Sequence, residues 1–391
     1  MEKQKVIHVD IGGVSFLPEE KLTGIPRVTL SLAHEFAKLG QHDTRNLNLI
    51  SLLHEDLDVP TDILERFNLH QTPVDVRQGE GTILLLDSYF FKFNFLNKLQ
   101  PKYRKNYQIV DYVHDILPLI TEGLFNFSPF RFKHFIDQSC RFSDAILTPS
   151  KKTADDIVNY VLERDEVQVG ASLKLAFNPH GADFAAHPFE HSQDTTQQDV
   201  PEPYFLAVGT LEIRKNHLFI LDAFEMLWAA GVDVNLCFAG RIGWKVEDLL
   251  GRLRNHPERN KRLFFFNGPS DERLASLYRS ACGLVGASLD EGFGLPIVEA
   301  AEYGVPLLLS DIAIFREVAG EHARYFSLDN PAHLADAVKR FLEDEGQGTR
   351  RENSSLIGHQ SWNESAKNLV EIISRDNWYC EIRPDKVVEY F

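Results

Sequence analysis

Two glutamates eight positions apart flank a pair of glycines in Ser288-Leu289-Asp290-Glu291-Gly292-Phe293-Gly294-Leu295-Pro296-Ile297-Val298-Glu299-Ala300. The apolar run Gly283 to Ala287 before them reads as a buried strand of a parallel sheet. Gly292 and Gly294 let the backbone turn sharply and approach a ligand closely. Pro296 suits the first turn of a helix, where its missing N–H costs nothing, and Ile297, Val298, Ala300 and Ala301 make that helix largely buried. The pattern is strand, Gly-rich turn, helix, and the free N–H groups at the helix start form an anion site. Glu291 precedes that site and Glu299 follows it. Carboxylates repel phosphate but accept hydrogen bonds from hydroxyls, so the arrangement suits a phosphate centre with a sugar at each end, as in a nucleotide sugar. The competing reading is that both glutamates are solvated and the glycines only turn the chain. Gly292-x-Gly294 lacks the third glycine of the dinucleotide fingerprint.

A second strand-loop-helix stretch is Val208-Gly209-Thr210-Leu211-Glu212-Ile213-Arg214-Lys215-Asn216-His217. Arg214 offers a planar fork to phosphate oxygens and Lys215 a compact charge, both at a helix start. The alternative is that one cation pairs with Glu212 on the surface. Arg241, after Phe238-Ala239-Gly240, is either a third cation or a solvated loop residue. Asp111-Tyr112-Val113-His114-Asp115-Ile116-Leu117-Pro118 ends another strand, at the sheet edge where open α/β sheets bind ligands. His114 and Asp115 there can orient a hydroxyl or help move a proton, or be structural.

These motifs resemble retaining glycosyltransferase family 4, whose fold is the two-domain GT-B. The likeness rests on Glu291-x7-Glu299 within Asp-Glu-Gly-Phe-Gly-Leu-Pro, on Gly-Thr-Leu-Glu-x-Arg-Lys-Asn, and on His-Asp-x-x-Pro. It implies that Glu291 touches the transferred sugar and Glu299 the ribose, and that residues 209–216 form the diphosphate loop. His114-Asp115 and Thr23-Gly24-Ile25-Pro26-Arg27-Val28 are similar to segments of the family's bacterial mannosyltransferases of surface polysaccharide assembly, with Gly24 close to the diphosphate. Many relatives carry a basic residue where Thr210 stands, which leaves Arg214 and Lys215 as the main cations. Expected catalytic residues are thus His114, Asp115, Arg214, Lys215 and Glu291. Gly24, Thr210, Arg241, Gly292, Phe293, Gly294, Leu295 and Glu299 are expected to bind the donor. Arg27 is read equally as a ligand cation or a surface residue. Asn178-Pro179-His180-Gly181-Ala182-Asp183 resembles the family's turn at the domain exit, with His180 read as structural.

The implied reaction is retaining transfer of a sugar, first choice mannose from GDP-mannose, with UDP-glucose or UDP-N-acetylglucosamine as alternative donors. The acceptor is a saccharide, expected to be lipid-linked. No Asp-x-Asp is read as holding a metal, so no metal or other cofactor is expected. A reading of another class makes the chain a non-catalytic nucleotide-sugar-binding scaffold.

Composition bounds these readings. At 391 residues the chain is long enough for two domains, and its 43% hydrophobic content supports full cores. A net charge of −16 argues against nucleic acid and against broad adhesion to anionic lipid, leaving room for a local patch and weak peripheral association with a membrane. No apolar run is long enough for a transmembrane helix. The opening residues run straight into a strand at Val6, so no signal peptide is expected. Four cysteines lie far apart with no Cys-x-x-Cys, as in a cytoplasmic chain with reduced thiols. His187-x3-His191 has no third ligand, and no Gly-x-Ser-x-Gly or Walker motif occurs.

Strand and helix patterns alternate throughout, the mark of doubly wound α/β domains. Strands are predicted at 6–10, 47–53, 82–86, 109–113, 145–148, 173–177, 204–208, 234–239, 263–266, 283–287 and 306–309. Val28, Leu32, Phe36 and Leu39 repeat at helical spacing, with Gly40 as the stop. Ser150 and Ser270 are predicted helix caps. The polar stretch 190–203 reads as a linker between an acceptor domain, 1–189, and a donor domain, 204–375, that face a cleft. Residues 376–391, with Trp378, Tyr379, Tyr390 and Phe391, are expected to pack back on the first domain. Phe90–Phe95 is read as core or as an aromatic wall near the acceptor.

Overall fold

The computed structural model describes residues 6–10, 24–42, 47–50, 80–86, 96, 105–121, 123–126, 128–183, 199–347 and 353–391. Gly12-Gly13, Phe90–Phe95, His187, His191 and most of the 190–203 stretch lie outside them. The strands among the described residues are β1 (Val6–Asp10), β2 (Leu47–Ile50), β3 (Gly81–Leu85), β4 (Tyr107–Tyr112), β5 (Ala145–Thr148), β6 (Leu173–Phe177), β7 (Tyr204–Val208), β8 (Asn235–Ala239), β9 (Leu263–Phe266), β10 (Gly283–Gly286), β11 (Leu307–Ser310), β12 (Arg324–Phe326), β13 (Cys380–Ile382) and β14 (Val388–Tyr390). They form two sheets, ordered β14-β13-β6-β5-β4-β3-β1-β2 and β12-β11-β10-β7-β8-β9. The chain divides accordingly into two compact units. One is Met1–Glu122, Phe127–Gly181 and Gln360–Phe391; the other is Gly123–Asn126 and Ala182–His359.

In the second unit every strand pairing is parallel. Alternation along β7 sends Phe205 and Ala207 to one face and Tyr204 and Leu206 to the other. Phe205 is fully buried and packs edge-on against Phe224 and Phe341. Each such ring contributes roughly 1.5–3 kcal/mol of burial. From β7 the chain steps outward to β8 and β9, then restarts at β10 on the other side of β7 and steps outward to β11 and β12. The carboxyl ends of β7 and β10 therefore bracket the point where the winding reverses, and open α/β sheets bind ligands there.

In the first unit the sheet is parallel from β2 to β6 and closes with an antiparallel edge, β13 on β6 and β14 on β13. The helix Ile25–His42 buries Val28, Leu32 and Phe36. Gly40 does not stop it, contrary to the sequence reading. A Cβ at Gly40 would lie 3.1 Å from the Leu47 carbonyl oxygen, so this glycine serves the close approach of β2. Ser150 and Ser270 cap their helices by accepting from Thr153 N and Arg273 N.

The boundary expected at 375 is corrected to 359. The helix Trp362–Arg375 belongs to the first unit, because its anchors are there. Asn363 Nδ2 donates to Glu35 Oε2 at 2.7 Å, and Asn178 Nδ2 donates to Ser365 Oγ at 2.9 Å. Gly181 lies so close that a Cβ would come within 2.4 Å of Trp362 N. A capping box of Ser361 and Glu364 starts the helix. Beyond it Trp378 is buried and Tyr379 meets Phe177 edge-on at 5.4 Å, whereas Tyr390 and Phe391 are exposed.

Candidate active site

The loop after β7 and the loop after β10 meet at the winding reversal of the second unit. Gly209, at φ +141°, turns the chain out of β7. Its backbone lies against the Lys215 side chain, which a Cβ at Gly209 would crowd at 3.3 Å. A short 3-10 turn, Ile213–Lys215, then leads through Asn216, left-handed at φ 55°, into the helix His217–Ala229. The backbone ties the two loops directly: Leu289 N donates to Arg214 O at 2.9 Å.

Four charged side chains are linked in a row there, Glu212 to Arg214 to Glu291 to Lys215. Arg214 Nη2 donates to Glu212 Oε1 at 2.6 Å and Nη1 to the Asp290 carbonyl at 2.9 Å; Nη1 also donates to Glu291 Oε2. Lys215 Nζ lies 2.5 Å from Glu291 Oε1, which also accepts from Ser288 Oγ at 2.7 Å. Ser310 Oγ holds the Ser288 carbonyl at 2.8 Å from β11. Glu212 and Glu291 are 4% and 5% exposed, so two buried anions are held by two partly buried cations. Burial works against the charge of Glu291. Arg214 and Lys215, with the bonds from Lys215 and Ser288, outweigh it and hold the carboxyl down at about 2. A cavity of about 20 Å³ lies against Lys215, His217, Ser288 and Glu291, room for one water. His217 is buried, and burial, aided by the Lys215 charge, lowers it to about 3.

Of the two readings of Arg214, the pairing with Glu212 is what the geometry bears on. Arg214 does pair with Glu212, but in the interior rather than on the surface, and it grips Glu291 with its other nitrogen. Glu212, Ser288 and Ser310 complete the site without having been assigned to it from sequence. Glu212 stands two residues before Arg214, the signal that was available. Arg241 and Thr210 lie beside the loop: the Arg241 carbonyl accepts from Leu211 N at 2.7 Å, and Gly243 packs against the Thr210 methyl.

After β10, Gly294 takes φ +102° at the cap of the helix Leu295–Glu302, with Pro296 in its first turn. Phe293 is buried against Ala182 and Val298, with Leu295 beside it. The Phe293 side chain thus packs the loop, and what Phe293 presents to a ligand is backbone. Glu299 is buried one turn further on, where Tyr278 Oη donates to its Oε2 at 2.8 Å.

In the first unit His114 is buried with Tyr112 at 5.0 Å and His180 at 6.2 Å between ring centroids. His180 in turn faces Trp362 at 5.8 Å. Burial lowers His114 to about 4; the Leu86 carbonyl pulls the other way, though neither ring nitrogen makes a well-aligned hydrogen bond among the described residues. Asp115 Oδ1 accepts from Leu117 N at 3.0 Å and so starts the short helix Leu117–Ile120. Gly24, at φ +65°, precedes the first helix, and its carbonyl accepts from Val28 N at 3.2 Å. The structure thus brings Arg214, Lys215, Glu291 and the Gly292–Leu295 loop together in one unit, with Gly24, His114 and Asp115 in the other.

Two doubly wound units, one with a cluster of cations and carboxylates at its winding reversal, define a GT-B type α/β protein. The sequence profile of glycosyl transferases group 1 matches residues 189–357, and this part of the chain is a domain of that family. The resemblance read from Glu291-x7-Glu299 is thereby borne out. The chain is similar to the serotype-specific mannosyltransferase WbdA of Escherichia coli, at 37% identity over 66% of the chain and 32% of the relative. It is also similar to the O-antigen chain mannosyltransferase RfbU of Salmonella typhimurium, at 28% identity over 59% of the chain and 62% of the relative. It spans about a third of the length of the WbdA relatives. Among solved structures, HepE of Anabaena in complex with UDP and glucose superposes with a TM-score of 0.57 at 14% identity, covering 95% of each chain. Sucrose-phosphate synthase from Thermosynechococcus elongatus gives 0.59 at 15% identity, again over 95% of each. Both similarities show the fold alone.

Proposed function

We propose that the chain is a retaining glycosyltransferase of surface polysaccharide assembly, moving mannose from GDP-mannose to a saccharide acceptor on a lipid carrier. One observation carries this reading: Arg214, Lys215 and Glu291 converge at the winding reversal beside the start of the helix Leu295–Glu302. The domain match and the names of the two mannosyltransferase relatives support it.

In this mechanism the bond from the anomeric carbon to the β-phosphate breaks and negative charge gathers on the nucleoside diphosphate. Arg214 and Lys215 stabilise that charge, with backbone donors at Gly294 and Gly24 adding to them. The charge already held in place makes a metal unnecessary. The acceptor hydroxyl attacks from the face the phosphate leaves, so the configuration is kept, and its proton passes to the departing phosphate oxygen. Glu291 gives up part of its hold on the cations to the incoming diphosphate and turns its oxygens to the sugar hydroxyls. Glu299 holds the ribose. His114, neutral at physiological pH, meets a sugar hydroxyl as a hydrogen-bonding group rather than as a charge. The work is done in the cytoplasm, at the inner membrane face where a lipid carrier presents its sugar.

Thermal melts with GDP and UDP, followed by product detection with GDP-mannose and a lipid-linked acceptor, test the reading. A ligand at about 100 times its Kd stabilises by about 2.7 kcal/mol, so GDP should raise the melting temperature by several degrees. A response to UDP with none to GDP moves the donor to UDP-glucose or UDP-N-acetylglucosamine. No response to either at millimolar levels, and no product, makes the chain a scaffold.

A further inference from the structure

We infer that Tyr278 is a positioning residue that sets the orientation of the Glu299 carboxylate and thereby makes the donor site selective for ribose over deoxyribose. This rests on the proposed role of Glu299 at the ribose.

Tyr278 lies in the helix Asp271–Ser280 and Glu299 in the helix Leu295–Glu302, on elements that follow β9 and β10. The Tyr278 ring is completely buried among Leu277, Ile297, Ala300 and Ala301. It stacks on Tyr303 at 5.7 Å with the planes 7° apart. Its hydroxyl, 2.8 Å from Glu299 Oε2, is held by a ring that has no room to swing. The last of the three torsions of a glutamate is broad, so sterics alone do not set the direction of its carboxylate. A buried, aligned O–H fixes which oxygen faces the core and so fixes the direction of the other. It does this without adding a charge: the phenol is neutral, whereas the cations beside Glu291 would compete with ribose hydroxyls for the carboxylate. A vicinal diol is read by placing acceptor oxygens at defined angles, so discrimination against a missing hydroxyl depends on that orientation. The tie also costs little in packing, because phenylalanine at this position keeps the stack on Tyr303 and removes a single oxygen.

The experiment uses the full chain and its Tyr278→Phe and Glu299→Gln variants, with GDP and its 2′-deoxy and 3′-deoxy forms as probes. Binding constants come from calorimetry and the fold from thermal melts without ligand. Wild type is expected to bind GDP at least tenfold more tightly than the weaker deoxy form. In Tyr278→Phe that ratio should shrink to within about threefold, chiefly through weaker GDP binding, with deoxy binding nearly unchanged. Adding Tyr278→Phe to Glu299→Gln should change the ratio no further, since the tyrosine acts only through the glutamate. A tyrosine that merely ties two helices predicts something else: a lower melting temperature, or equal weakening of all three probes, with the ratio kept. That result overturns the inference. If wild type binds GDP without discriminating among the three, the role of Glu299 at the ribose fails and the inference fails with it. A discriminating wild type whose ratio survives in Tyr278→Phe removes the tyrosine alone. UDP and its deoxy forms replace the GDP series if wild type responds only to UDP.

Discussion

The charged row of the second unit and the histidine stack of the first solve the same problem in opposite ways. Each places polar side chains in the interior at the carboxyl end of a parallel sheet. In the second unit the groups stay charged and cancel one another, Arg214 and Lys215 against Glu212 and Glu291. In the first unit His114 and His180 stay neutral; burial lowers both, and each would make charging the other harder. In the proposed mechanism, charge is retained where the leaving group would develop charge, and given up where the partner would be a hydroxyl. The presence of two partly buried cations is therefore not by itself a sign of an absent anion, because the fold already supplies two.

The largest effect that would sharpen this contrast comes from Arg214→Ala. It leaves Glu212 without the cation it pairs with and weakens the hold on Glu291. Turnover should fall by about 10²–10³, and urea unfolding should show a loss of about 3–5 kcal/mol, as for a broken buried pair. A variant of unchanged stability would mean the four groups are not linked and desolvated as described. Glu291→Gln should act differently. Turnover should drop by about 10²-fold, yet nucleoside diphosphate should bind several-fold tighter, because a competing anion has been removed from the two cations. Weaker binding of the diphosphate in this variant would show that the carboxylate does not compete for the site.

pH separates His114 from Glu291 by where each loses stability. His114 has its folded-state value lowered from 6.5 to about 4. Between those values the unfolded chain takes the proton and the folded one does not. Its contribution is thus complete above about 6.5 and is lost as pH falls toward 4, up to about 3 kcal/mol. Glu291 is lowered from 4.5 to about 2, so its contribution is present above 4.5 and lost only as pH falls from there toward 2. Urea titrations at pH 7.5, 6, 5 and 4 should record the first loss, and His114→Phe should remove His114's share of it while sparing the parts due to His8, His180 and His217. A pH dependence in this range that survives His114→Phe in full would assign it to other histidines.

The strand-turn-helix units, the Gly292–Gly294 turn and the proximity of cations to an anion-handling helix start were legible in sequence. They are local: residue type, period and backbone freedom within about a dozen positions decide them. β13 and β14 were not legible, since three-residue strands leave no period to read and earn their place only by pairing on β6. Gly40 was misread for the same reason, because what it accommodates is the Leu47 carbonyl of another element.

What the sequence determined alone is therefore the class of the fold and the inventory of the site, as far as short-range spacing carries them. Only the tertiary structure decided who holds whom. Glu291 lies 77 positions from Arg214, and Glu299 lies 21 from Tyr278. Whether a glutamate is held by cations, by a phenol or by water depends on which elements the sheet order brings side by side, and β10 comes to lie against β7 only because the winding reverses there. The same letter in the chain thus acquires two different chemistries, one tied to cations and one to a neutral phenol.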